Sequence, residues 1–301
     1  MVYKLFPLFL LLSIASSEWI QNPSPILMRP FDAKSAALGG INSFELNEIP
    51  SVQFSYSSSE ENLFEESSII YQKGKRTYYL SYFGVPNLDN TINAWSDNGD
   101  GEPSADEIDY TRITSFDYRS ISFTYPVLLF TSNIEKFPAS TLEIWPIFSI
   151  SSMYEESAYA AGFSISRKLN YKNSQILIFV HDVVSRKWWS TNRKEMYKLF
   201  LEIMVSSKFK KTTIFLDGIL KSNEFKANIG ASFHMHKNLI LRGGYRSNGG
   251  FTFGAGVKLN FIELDMAFLL SDNSHPFKPN QQFTLRLLVD KALSASKRLS
   301  P

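Results

Sequence analysis

The stretch GFTFGAGVKLNFIELDMAFL, residues 250–269, contains two runs of alternating residues placed back to back. In the first run the odd positions are apolar and the even positions are small, polar or charged. In the second run apolar residues at 262, 264, 266 and 268 alternate with Glu263, Asp265 and Ala267. Because successive side chains of a strand point to opposite faces, each run predicts a strand with one apolar and one polar face. The pattern leaves open whether the apolar face packs on a protein core or on lipid.

The same alternation recurs along most of the chain after Pro50, in residues 52–56, 120–125, 161–166, 197–205, 227–235 and 282–287. Short turn-forming segments join some runs, and longer segments such as 87–107 and 271–280 join others. Short turns at one end and longer loops at the other are typical of an outer-membrane barrel, for which an even strand number of roughly fourteen is expected here. No convincing long helix is apparent after the N-terminus.

Three features favour lipid as the partner of the apolar faces. The runs are about ten residues long, near the 9–11 residues that cross a bilayer at a tilt. Aromatic residues border the strands where an interfacial girdle would lie, namely Tyr245, Phe251, Phe261, Phe277 and Phe283. The N-terminus also resembles an export signal. A sheet in hydrocarbon must close, because an open edge leaves backbone groups unpaired. We therefore predict an all-β fold, a transmembrane antiparallel β-barrel of about 14 strands with a short N-terminal irregular segment. The alternative is a soluble exported β-sandwich or propeller that binds ligand or carbohydrate.

The ends of the chain differ from this barrel region, which we place at residues 51–290. Residues 1–17 combine one positive charge, an apolar core and small residues before Glu18, as in a cleaved secretory signal peptide. Residues 18–50 are rich in Pro, Ala and Gly and predict an irregular segment, a plug or a periplasmic extension. Residues 291–301 form a basic, serine-containing tail that we expect to be flexible. Together these features predict localisation in the cell outer membrane.

The composition of the 301-residue chain excludes several classes of function. Lys and Arg total 31 against 29 Asp and Glu, so the charge balance does not indicate a nucleic-acid partner. The chain has no cysteine, which excludes disulfides, thiolate metal sites and a Cys nucleophile. No constellation of nucleophile, base and orienting group appears, so we predict that the protein is not an enzyme and requires no cofactor.

Two sets of motifs resemble the PorV/PorQ group of bacterial outer-membrane proteins, which is related to the FadL-type fatty-acid channels. The first is the alanine-rich segment ending Leu-Gly-Gly at residues 29–40. The second is the ordered series 230–233, 239–245, 254–256 and 264–268, which contains Leu-Arg-Gly-Gly-Tyr and Leu-Asp-Met-Ala. The resemblance implies a roughly fourteen-stranded barrel in contact with outer-membrane lipid. It also implies either passive transport of hydrophobic or small solutes, or a role as an envelope or protein-secretion component that contacts other exported proteins.

One loop matches the spacing of a twelve-residue calcium loop. Hard cations require several oxygens that converge on one point, and Gly101 would permit the sharp turn. The first position is Ser rather than Asp, and a solvated acidic loop is the alternative. The candidate calcium ligands are Ser96, Asn98, Asp100, Glu102, Ser104 and Glu107.

The polar faces of the strands supply the remaining candidate site. If the barrel is wide, polar side chains in mid-strand line a wet or polar lumen. The predicted lumen-lining residues are His234, Arg242, Lys258, Glu263, Asp265 and Arg286. His181 and Asp182 are interpreted as lumen-facing or turn-proximal rather than catalytic, and Trp188 and Trp189 as members of an interfacial aromatic belt. Gly243, Gly244, Gly254 and Gly256 predict close packing in the lumen or a bend of the barrel.

Overall fold

The structure is a computed structural model that describes residues 32–42, 50–59, 64–74, 76–90, 94, 107–132, 139–222, 224–247, 250–270 and 279–291. The predicted signal peptide, most of the predicted tail and the first five of the six candidate calcium ligands lie outside these residues. Among the described helices, none has the length and apolar character needed to cross a bilayer.

One short helix, α1 (Ala33–Ala37), precedes a long series of strands. The strands are β1 (Ser51–Ser59), β2 (Glu65–Lys73), β3 (Arg76–Asn90), β4 (Thr114–Thr124), β5 (Val127–Ser132), β6 (Ala139–Met153), β7 (Glu156–Tyr171), β8 (Ser174–Trp189), β9 (Lys194–Met196), β10 (Phe200–Phe209), β11 (Thr212–Lys221), β12 (Glu224–His236), β13 (Leu239–Arg246), β14 (Gly250–Leu259), β15 (Ile262–Leu269) and β16 (Pro279–Leu288).

These strands form one closed antiparallel barrel. Consecutive strands pair, except that β4 pairs with β6 and β10 pairs with β8; β16 pairs with β1, so the ring has no open end. Two positions of the ring are each occupied by an interrupted strand, because β4 and β5 both pair with β6, and β9 and β10 both pair with β8. The described residues thus form a 14-stranded barrel, which confirms the predicted fold class.

Two prolines explain the interruption between β4 and β5. Pro126 lies between Thr124 and Val127, and Pro146 lies in β6 next to Ile147, the residue that pairs with Thr124. Proline has no amide hydrogen, so neither residue can donate to the ladder at this point. The Thr124 hydroxyl donates instead to the Pro146 carbonyl at 2.8 Å. The side-chain bond therefore holds the wall together where the backbone pairing is absent.

The two ends of the barrel differ in their connections. β1 begins and β16 ends at the same end of the barrel, which we call the termini end. Two-residue turns dominate there, as between β12 and β13 and between β14 and β15. The opposite end, the loop end, carries the longer connections 91–113 and 270–278. This is the asymmetry that the sequence predicts for a barrel with short periplasmic turns and long external loops.

The polarity of the wall is reversed relative to a soluble protein. In β1, Gln53 and Ser55 point inward and are buried, whereas Phe54 and Tyr56 point outward and are 43% and 48% exposed. In β11 the outward Leu216 is 49% exposed between the buried Phe215 and Asp217. An apolar outer surface on a ring without open edges is the arrangement of a barrel that spans a membrane. The structure therefore does not favour the soluble sandwich or propeller.

Candidate functional site

A short plug, residues 32–42, lies inside the barrel. Its helix α1 begins after Asp32, whose carboxylate accepts a hydrogen bond from the Ser35 amide at 2.7 Å, the usual role of an N-cap Asp. Ala33, Ala36 and Ala37 are fully buried. Their small side chains let the helix approach the inner wall of β13–β16 closely. Of the predicted segment 18–50, residues 32–42 thus lie inside the barrel.

Two wall threonines hold the backbone of the plug. The Thr284 hydroxyl accepts from the Ala33 amide at 2.8 Å. The Thr252 hydroxyl accepts from the Gly39 amide at 3.0 Å and donates to the Ala37 carbonyl at 2.9 Å. Backbone groups at both ends of α1 have no partner within the helix and require such bonds when buried. The wall therefore satisfies the ends of a helix too short to be stable alone.

Glycines in the wall provide the space in which the plug lies. A Cβ at Gly230 would stand 2.6 Å from the Leu38 carbonyl oxygen, and a Cβ at Gly244 would overlap the Gly39 amide. Gly39 itself has a φ of +78°, which a residue with a side chain rarely adopts. Gly230 and Gly244 pair directly across β12 and β13. This agrees with the close lumenal packing that the sequence predicts for Gly244; the role of Gly230 follows only from the strand register.

An apolar cluster lies where the plug meets the opposite wall. Leu38 and Ile41 of the plug are buried in one cluster with inward side chains of β3, β6, β8, β10 and β11. Aromatic rings form its centre, with Tyr79 5.6 Å from Trp145 and Trp145 5.4 Å from Phe179, measured between centroids. The plug thus contacts both sides of the lumen in this conformation.

A row of buried polar side chains crosses the wall beside this cluster. The His181 ring is stacked between Phe179 and Phe200, with centroids 4.1 Å away on each side. Its Nε2 lies 2.6 Å from a carboxylate oxygen of Glu202. Asp217 on the adjacent strand accepts from the Asn228 amide at 2.9 Å. Sequence analysis interprets His181 correctly as lumen-facing but misses this row, since its members become neighbours only through strand pairing.

A bulge in β8 accounts for the buried Asp182. Ser164 of β7 faces three β8 residues, 181–183, because the register shifts between the pairs Phe163–Val184 and Ile165–Val180. Asp182 adopts a φ of +51° there, and its amide donates to the Ser164 hydroxyl at 3.0 Å. Odd-numbered side chains face inward on both sides of the bulge, so Leu177 and Phe179 before it and Lys187 and Trp189 after it are buried. A bulge of this kind has no local sequence signal.

The two tryptophans after this bulge point to opposite faces. Trp188 faces outward and stacks on Tyr159 at 5.3 Å, as the predicted aromatic belt requires. Trp189 is only 8% exposed, and the Lys187 ammonium lies 4.2 Å from the centre of its ring. The prediction that both belong to the belt is therefore wrong for Trp189, because adjacent residues of a strand cannot share a face.

The six predicted lumen-lining residues surround one cavity of about 210 Å³, which we call the ionic cavity. Arg242 forms an ion pair with Asp265, and Glu263 lies 3.2 Å from Lys258 and 3.1 Å from Arg286. Lys34 of the plug and Lys208 of β10 add two more basic groups to its wall. The structure thus brings together residues from seven consecutive strands and the plug.

The candidate calcium loop stays a prediction. Of its six proposed ligands, Ser96, Asn98, Asp100, Glu102 and Ser104 lie outside the described residues, and Glu107 is described and buried. In the part of the chain that the structure describes, no group of three or more His, Asp or Glu side chains is arranged to hold a metal ion.

The fold and its interior define a class, a closed and plugged β-barrel with membrane-type polarity. No family model matches the chain, and no curated protein matches it. Among solved structures it is similar to the Pseudomonas putida toluene transporter TodX, with 10% identity, 89% of this chain and 98% of that chain covered, and a TM-score of 0.49. It is also similar to the KdgM porin, with 9% identity, 79% and 98% coverage, and a TM-score of 0.32. These are likenesses in fold.

Proposed function

We propose that this protein is a non-enzymatic outer-membrane β-barrel that gives small solutes a passive route, closed by its plug in the conformation described. The observation that carries the proposal is the reversed polarity of a closed ring. Outward residues such as Leu216 would contact the acyl chains of the outer-membrane lipid, which we propose as a partner of the protein. The predicted signal peptide supports export to that membrane.

The way in which the plug is held supports a route that opens when the plug moves, rather than a lumen that is permanently closed. Its described residues 32–42 are held by hydrogen bonds and packing, and the chain has no cysteine that could attach them covalently. The inner wall around them is rich in buried serine, threonine and glutamine side chains. Such a wall can be wetted when the plug moves, so displacement of residues 32–42 would open an aqueous path.

A second candidate solute is a hydrophobic small molecule. The apolar cluster around Trp145 and Phe179 is the specific observation in its favour, because it would offer an apolar surface once Leu38 withdrew. Membership of the PorV/PorQ group and contact with envelope or secretion proteins also remain proposals. They are supported by the order of the sequence motifs.

Membrane fractionation followed by reconstitution tests the proposed function. We expect the protein to partition with outer membranes, to require detergent for release, and to migrate differently on gels before and after boiling. Proteoliposomes should then swell in small solutes, and swelling should increase when residues 32–42 are deleted. A protein released in plain buffer would refute the barrel in the membrane. A membrane-bound barrel that passes no solute, with or without residues 32–42, would refute the channel.

A further inference from the structure

The ionic cavity carries an excess of positive charge. Its basic side chains are Lys34, Lys208, Arg242, Lys258 and Arg286. Its carboxylates are Glu263 and Asp265, so the basic side chains of the lining outnumber its carboxylates by three. A cleft lined mainly by charges of one sign attracts ions of the opposite sign. The charge balance of the cavity therefore favours an anion.

The size and lining of the cavity limit the kind of anion. A volume of about 210 Å³ is far above the about 10–15 Å³ that one water molecule needs. Among the described residues that line it, Ile240 is the only apolar one. The site can thus hold a small, polar anion with its water, but it offers little surface to an alkyl chain or an aromatic ring.

The basic groups are graded from the mouth of the cavity inward. Lys208 is exposed near the termini end of β10, and the Lys258 side chain is 45% exposed. The Arg286 side chain is 20% exposed and that of Arg242 only 4%. An anion entering from the termini end would meet exposed lysines first and less exposed guanidinium groups deeper in the wall. Such a gradient favours anions with several oxygen acceptors, which can contact more than one of these groups.

The cavity is also joined to the plug. Arg286 donates to Glu263 at 3.1 Å and to the Gln53 side-chain oxygen at 2.6 Å. The Gln53 amide donates in turn to Asp32, the N-cap of α1, at 3.1 Å. Lys34 of the plug lines the cavity directly. An anion bound in the cavity would therefore change the hydrogen bonds of the residues that hold the plug.

We propose that the ionic cavity is a binding site for a small oxyanion with several acceptor oxygens, the chemistry shared by inorganic phosphate and short dicarboxylates. This inference rests on the proposed function and narrows it, since it names the class of solute that the lumen would select. The Arg242 and Arg286 guanidinium groups provide the fixed part of the site, and Lys208 and Lys258 attract the anion at its mouth.

Calorimetric titration of the full-length protein in detergent micelles with inorganic phosphate tests this site, with chloride at equal ionic strength as the reference. The test variant is Lys208→Gln/Lys258→Gln, which removes two basic groups from the cavity. The matched control is Lys210→Gln/Lys211→Gln, which removes the same charge from the adjacent turn, outside the described lining of the cavity. We expect saturable phosphate binding that weakens about tenfold or more in the test variant, because each lysine supplies a charge-assisted hydrogen bond.

The outcomes separate this inference from the proposed function. Binding that is lost in the test variant and kept in the control supports the site. Absence of saturable phosphate binding, or equal losses in both variants, overturns it, even if proteoliposomes still pass solutes. Phosphate binding by a barrel that passes no solute would leave the site standing and overturn only the channel.

Discussion

Replacement of the two threonines that hold the plug should open the lumen. In Thr252→Val/Thr284→Val the side-chain shape is kept, but the hydroxyls that bond Gly39, Ala37 and Ala33 are removed. The Ala33 amide and the Ala37 carbonyl of the seated plug then lose these partners, whereas the Gly39 amide keeps its 3.2 Å bond to the Ala36 carbonyl. Each unsatisfied buried group costs about 1–3 kcal/mol, and we take about 1 kcal/mol for each because the adjacent lumen is polar.

The expected shift in the plug equilibrium is therefore large. A total of about 2 kcal/mol corresponds to about a thirtyfold change in the ratio of seated to unseated plug, since about 1.4 kcal/mol is tenfold. Single-channel recording in planar bilayers measures this directly as the open fraction. We expect rare openings in the wild type and a much larger open fraction in the double variant.

Thr124→Val provides the matched control. Thr124 is fully buried in the same lumen, but its hydroxyl donates to the Pro146 carbonyl of the wall. Loss of that bond should lower the stability of the barrel without opening it. The gel shift on boiling should be intact in all three proteins, which shows that each is folded. If their open fractions are then equal, Thr252 and Thr284 do not retain the plug.

Three further predictions test the lipid face, the polar row and the calcium loop. Leu216→Arg, in the middle of β11, should destabilise the barrel folded into bilayers by about 2–4 kcal/mol, whereas Leu220→Arg near the strand end should destabilise it by about 0–1 kcal/mol. Urea titrations measure both changes, and equal values would contradict a lipid-facing β11. Glu202→Ala should lower the stability in detergent by about 1–3 kcal/mol, because His181 loses a buried partner, and Glu202→Gln should cost less. Calcium should protect the connection 91–113 from protease in the wild type, and Glu107→Gln should abolish that protection; cleavage that ignores calcium would exclude the site.

The wall of this barrel could be predicted because its signal is local. The alternation in residues 250–269 assigns each side chain to a face, and β14 and β15 have the bounds and polarity that this pattern requires. The same alternation places Arg242, Glu263 and Asp265 on the inner face. Their ion pairs could not be predicted, since Arg242 reaches Asp265 across β14, and that contact depends on the register of three strands.

Two of the features that sequence analysis missed, the bulge in β8 and the space at Gly230, depend on distant residues. The bulge at Asp182 lies opposite Ser164 of another strand, whose hydroxyl accepts from the Asp182 amide. Gly230 is needed only because Leu38, far away in the sequence, packs against it. The periodicity of a strand predicts which face a residue occupies. It does not predict which residues of other strands or of the plug contact that face inside the barrel.

The plug and the ionic cavity occupy the same half of the lumen, and this placement links their energetics. A series of side-chain hydrogen bonds links Glu263, Arg286, Gln53 and Asp32, and it connects the cavity wall to the N-cap of α1. An anion that draws Arg286 into the cavity would weaken its bonds to Gln53 and hence the position of Asp32. Because coupling between two sites is reciprocal, a ligand that favours the open plug must itself bind more tightly when the plug is displaced.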